Sequence, residues 1–181
     1  MACDLTKGKA TPCKDSIGGI EAVYFMNYDD LGVITYDGTD TDMISTIGGT
    51  ANIYKYDLTP IDAATFSQNI MSDDNTGNTH IEEILELTLP GLTKEDHKEI
   101  KLIAYGRPRV IVRNKIGNFF LMGTKFGASV TGGTIVMGGA MADLSGYTLS
   151  LRAVEPVPAN YFNDTTEAAL LTNCGLTTVT S

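Results

Sequence analysis

Residues 90–123 read Pro-Gly-Leu-Thr-Lys-Glu-Asp-His-Lys-Glu-Ile-Lys-Leu-Ile-Ala-Tyr-Gly-Arg-Pro-Arg-Val-Ile-Val-Arg-Asn-Lys-Ile-Gly-Asn-Phe-Phe-Leu-Met-Gly, and this stretch decides the fold. Its first half predicts a helix over 93–105. Thr93 can act as N-cap, with Asp96 three residues on to close a capping box. Glu95 and Asp96 place negative charge at the positive end of the helix dipole. His97, Ile100, Ile103 and Ala104 recur at spacings of three and four and form one semi-apolar face. Gly106 stops the helix and Pro108 prevents its resumption. The period then changes. Val110 and Val112 face one way, Arg109, Ile111 and Arg113 the other. Asn114–Asn118 is a turn, and Phe119–Met122 is a short apolar run that returns beside the first strand. One helix therefore feeds one β-hairpin.

Working outward, the flanks read as strands. Glu21–Tyr28, Gly32–Tyr36 and Ala51–Leu58 are expected strands on the N-terminal side, with a turn at Asp29-Asp30. Asp37–Gly49 is rich in Asp, Thr and Gly but carries Met43, Ile44 and Ile47, which suits a long hairpin tip or excursion. Ala63–Met71 and His80–Leu89 form a hairpin joined by Ser72–Asn78. Leu85, Leu87 and Leu89 alternate with Glu86 and Thr88, so the second member is a strand, although Ile81, Ile84 and Leu85 would also fit a helical face. On the C-terminal side Ala128–Met137 is a strand with a bulge or bend at Gly132-Gly133. Asp143–Gly146 is a turn. Tyr147, Leu149, Leu151 and Ala153 alternate with Thr148, Ser150 and Arg152, the cleanest strand pattern in the chain. Pro156 and Pro158 end it. Asp164 and Glu167 can cap a short helix through Leu171, and the last residues read as an extended arm. The expected architecture is mainly β, an antiparallel sandwich or barrel with one flanking helix. Residues 1–19 form an N-terminal arm, 20–156 the domain and 157–181 a C-terminal arm.

Composition bounds the function. A chain of 181 residues, 43% hydrophobic and 19% charged, is long enough for one domain with a real core. Thirteen Lys and Arg against 22 Asp and Glu give a net charge of −9. That acidic balance argues against binding a phosphate backbone or an anionic membrane as the main task. Cys3, Cys13 and Cys174 are odd in number and lack zinc spacing, so free thiols in a reducing compartment are expected. The N-terminus lacks the pattern of a secretory signal, and no apolar run reaches the length of a membrane helix.

Chemistry-bearing constellations are sparse. His80 and His97 are the only histidines, and neither sits in a nucleophile, zinc or phosphate-loop motif. Asp40 and Asp42, or Asp73, Asp74 and Asn75, could offer oxygens to calcium. The better reading of both is turn formers bonded to their own backbone. Glu82, Glu83 and Glu86 could supply an acid–base pair, but a solvated strand face is the better reading. No catalytic, cofactor or metal site is expected, which favours a structural or binding role over an enzyme.

The order of these parts resembles the tail tube proteins of long-tailed bacteriophages. The resemblance spans roughly residues 20–156 and is carried by the helix and hairpin over 93–122 and by Val130–Pro156, with Asp143-Leu144-Ser145-Gly146-Tyr147-Thr148-Leu149-Ser150-Leu151 within it. The opening Ala2-Cys3-Asp4-Leu5-Thr6 and Cys13-Lys14-Asp15-Ser16-Ile17-Gly18-Gly19 also look like uncharacterised phage virion proteins. The resemblance implies a β-sandwich or barrel whose sheets join around a ring of six copies. Rings would stack into a tube in the virion tail, assembled in the host cytoplasm. The implied partners are the chain itself, tape-measure protein and DNA in the lumen, and sheath, terminator or baseplate proteins at the outside and ends. Tubes of contractile tails and type VI secretion are similar in fold. On this reading Met43, Ile44 and Ile47 are candidates for contacts between stacked rings. Glu82 and Glu86 are candidates for a lumen that denies DNA a foothold. The alternatives are another virion part, such as a capsid decoration or tail terminator protein, a ligand-binding β module, and a hydrolase built on the glutamate cluster.

Overall fold

The computed structural model describes residues 7–11, 14, 17–58 and 64–179. The opening Ala2–Thr6, Cys3 and Cys13 lie outside the described residues. In chain order the strands are β1 (Ile20–Met26), β2 (Ile34–Tyr36), β3 (Met43–Ile47), β4 (Ala51–Asp57), β5 (Thr65–Asp73) and β6 (Asn78–Pro90). Helix α1 (Lys94–Tyr105) follows, then β7 (Arg109–Asn114), β8 (Phe119–Met122), β9 (Ser129–Val136), β10 (Gly146–Glu155) and β11 (Asn160–Phe162). Helix α2 (Glu167–Asn173) and β12 (Leu176–Val179) close the described chain. The fold is mainly β, a two-sheet sandwich with α1 on its flank.

One sheet has eight strands in the order β12-β4-β1-β7-β8-β11-β3-β2, and the other has four in the order β5-β6-β10-β9. The expected hairpins are present: β7 pairs with β8, and β5 with β6, both antiparallel. In the smaller sheet Leu85, Leu87 and Leu89 stand opposite Leu151, Leu149 and Tyr147. That face packs on Val23, Phe25, Val110 and Val112 of the larger sheet, with Ile100 and Ile103 of α1 closing the end of the same core. A second core lies on the other face of the larger sheet. It holds Tyr24, Ile53, Ile111, Phe119, Ile44 and Leu170. Residues from β4 near one end of the sheet and β3 near the other share this cluster, so the sheet curls over itself and α2 fills the gap. β1 and β7 are buried on both faces, which explains their nearly unbroken apolar runs.

Helix α1 starts as its sequence dictates. The Asp96 backbone N–H donates to Thr93 Oγ1 at 3.0 Å, and that hydroxyl donates to Asp96 Oδ2 at 2.6 Å. Ile100 and Ile103 are its buried residues, whereas His97 and Ala104 are exposed. The core-facing stripe is therefore narrower than the four-residue face expected.

Four expectations are corrected. Asp37–Gly49 is not a free excursion: β3 lies within it, pairs with β2 and β11, and buries Ile44 and Ile47 in the second core. The bulge in β9 falls at Thr131, because Ser150 faces Gly132 while Leu151 already faces Val130. The C-terminal residues are not an arm. β11 bridges β8 and β3, and β12 lies parallel to β4. The cap of α2 is Thr166, whose hydroxyl accepts from Ala169 N. Asp164 instead accepts from the Asn173 side chain at 2.7 Å.

Candidate functional site

The smaller sheet presents one face to the core and one outward. Outward-facing positions are mostly polar: Glu82, Glu86 and Thr88 on β6, Thr148, Ser150 and Arg152 on β10, and Thr65 and Ser67 beside them on β5, with Ile84, Val154 and Met71 as apolar positions of the same face. They bond among themselves. Arg152 forms a hydrogen-bonded ion pair with Glu82, Thr65 Oγ1 donates to Glu86 at 3.3 Å, and the hydroxyls of Thr134 and Thr148 lie 2.6 Å apart. The strand period thus places Glu82 and Glu86 together on one solvated face. Glu82 is partly neutralised by Arg152, and Glu86 is exposed.

Both edges of this sheet are open among the described residues, because β5 and β9 each have a partner on one side only. Unpaired N–H and C=O groups on long edge strands are a template for another chain. Exposed apolar side chains lie along both: Ile70 and Met71 on β5, Ile135, Val136 and Met137 at the end of β9. Ile44 and Ile47, by contrast, are core residues and offer no surface, while Met43 is half-buried beside Tyr161.

Glu83 departs from its neighbours. It is in phase with Leu85 and Leu87, so it points into the molecule, and it is 1% exposed. Its Oε2 accepts from Gly123 N at 2.9 Å. Glu155, 2% exposed, reaches the same loop, where Oε1 accepts from Lys125 N at 3.0 Å and Phe126 N at 2.8 Å. Burial pushes the Glu83 carboxyl up to about 7, the Gly123 hydrogen bond opposes the rise, and the Glu155 charge adds to it. The signal for this pair was in the alternation itself, which sets Glu83 on the leucine side of β6. Grouping it with Glu82 and Glu86 missed it.

The remaining candidates are structural. Asp37, Asp40 and Asp73 accept backbone N–H groups two or three residues on, as turn formers do. Among the described residues no group of three or more His, Cys, Asp or Glu is placed to hold a metal. Among them, too, no helix is long and apolar enough to cross a membrane. Lys55 joins Glu167 at 2.9 Å and Asp57 at 3.2 Å, tying α2 to β4. Cys174 is a free, buried thiol whose pKa burial raises. A cleft of about 660 Å³ lies between α1 and β4, floored by Tyr54, Tyr56 and Tyr147 and walled by Glu95, Asp96 and Glu99. No protein-family model, no curated protein and no solved structure matches the chain.

Proposed function

We propose that this chain is a structural subunit that joins copies of itself edge to edge through its four-stranded sheet, forming rings that stack into a tube of the phage-tail kind. The observation that carries this reading is the smaller sheet with two edges unpaired among the described residues and a mostly polar outer face. Its four strands alternate in direction. Placing β9 of one copy against β5 of the next therefore continues the antiparallel order without a break. Such a contact joins two different surfaces, so it propagates until rotation closes it into a ring. The two edges are also offset. β9 lies beside the Pro90 end of the sheet and β5 beside its Asn78 end. Successive copies would step along the strands, which is the shear a closed barrel requires. The outer face would line the channel, with Glu82 and Glu86 among its groups, and threonine and serine hydroxyls would keep it wet. Tape-measure protein and DNA would pass through it, and the role is architectural, in a virion tail.

Sedimentation velocity of the full chain tests this reading. Ile70→Lys and Ile135→Lys each place a charge beside one open edge at an exposed position. Each is expected to weaken association by tenfold or more, about 1.4 kcal/mol, with little change in thermal stability. Assembly indifferent to both substitutions overturns it. The second reading, a ligand-binding β module, is favoured by the tyrosine-floored cleft beneath α1. Monomers at every concentration would support it.

A further inference from the structure

One of the connections between the two sheets is the five-residue loop Gly123–Gly127, which runs from β8 directly into Ala128 and the edge strand β9. Both of its glycines have positive φ, +72° and +74°, and a side chain at either would collide with backbone. The loop is held from two sides. Glu83 and Glu155 of the smaller sheet accept three of its N–H groups. From the other side the Tyr28 hydroxyl donates to Lys125 O at 3.0 Å.

Two carboxylates are thus buried against one loop, and among the described residues no cation bonds to either. Arg109 stacks on the Tyr28 ring, 4.3 Å from its centroid, and donates to Tyr28 O at 2.7 Å, so its charge is committed there. Arg107 beside the loop and Lys125 within it are both exposed, and Lys125 contributes its backbone N–H to Glu155. Asp29 and Asp30 beside Tyr28 are exposed. The second oxygen of Glu155 is buried and has no hydrogen-bond partner among the described residues. A buried polar atom of that kind is costly, and two ionised carboxylates sharing one loop cost more.

We propose that Glu83 and Glu155 form a proton-dependent latch: with Glu83 protonated, loop 123–127 is clamped and β9 is held ready as an edge, and with both carboxylates ionised the loop opens. This names a regulator of the edge on which the proposed assembly rests. Opening exposes Glu83 to water, where its ordinary pKa returns, so opening releases a proton. The closed state is accordingly fully favoured below the ordinary carboxylate range and is lost progressively up to the raised value near 7.

Amide hydrogen exchange on the full chain reads the latch whether or not the chain assembles. After correction for intrinsic exchange, protection at residues 123–130 is expected to fall about tenfold per pH unit between pH 5 and pH 7 and then level off. Glu83→Gln keeps the acceptor and removes the titration, so its protection is expected to be flat with pH. A ¹³C titration of the Glu83 carboxyl in the unaltered chain is expected to have its midpoint near 7 and needs no variant to fold. Protection independent of pH, an unchanged slope in Glu83→Gln, or a carboxyl titrating below 5 overturns the latch. Sedimentation of the same samples separates the two ideas. A pH-dependent loop in a chain that never associates leaves the latch and removes the tube, and assembly with a pH-independent loop does the reverse.

Discussion

Glu82 and Glu83 are adjacent in the chain and meet different dielectric environments. Glu82 stands on the outer face against Arg152, and Glu83 lies in the core. A carboxyl whose folded pKa is raised makes folding bind protons, so the stability it supports is present at low pH and lost as pH rises through about 7. The lift from an ordinary carboxylate value corresponds to about 3 kcal/mol at full ionisation. Glu83→Gln should therefore raise stability at pH 8 by up to that amount and change it little at pH 5, as denaturant melts at both pH values would show. Equal effects at the two pH values would mean that ionisation of Glu83 is not what the core resists. Single-residue fates were legible where a period ran unbroken. Leu85, Leu87 and Leu89 announced their side of β6, and the same count placed Glu83 with them. Ile44 and Ile47 were not legible as core, because β3 is short and sits among turn formers, and its burial is decided by β11, which comes from a distant part of the chain.

At the scale of elements, α1 was legible because its instructions are local. Its cap, its stop and its charges lie within the helix or one residue outside it. It buries only Ile100 and Ile103, so its ends matter. Thr93→Ala removes both capping hydrogen bonds and should cost about 1 kcal/mol, a fall in Tm of roughly 2–4 °C, measured by calorimetry. The C-terminal elements were illegible for the opposite reason. β11 and β12 have three and four residues, and each takes a parallel partner far back in the sequence. Pairing of that kind leaves no local signal. α2 joins them to the core through Leu170, which is fully buried. Leu170→Ala should cost about 2–5 kcal/mol through the cavity it leaves. A loss below 1 kcal/mol would mean that α2 and β12 are peripheral to the fold.

At the scale of the whole molecule, two sheets divide the labour. The larger curls over its own core and carries α2, and the smaller covers it with one face and leaves the other free, with both edges unpaired among the described residues and α1 lying beside β9. A monomeric protein usually blunts such edges with charge, proline or a covering element. Here β9 carries a single bulge, and β5 runs nine residues to a hairpin end with Ile70 and Met71 exposed. That residue choice suits pairing better than avoidance of it. The net charge of −9 limits unspecific clumping while leaving a directed backbone contact available. Negative-stain electron microscopy of the purified chain across a range of concentrations tests edge-to-edge assembly most directly. The account predicts rings with a central hole that stack into hollow tubes as concentration rises. Discrete globular particles of one chain at every concentration would contradict it.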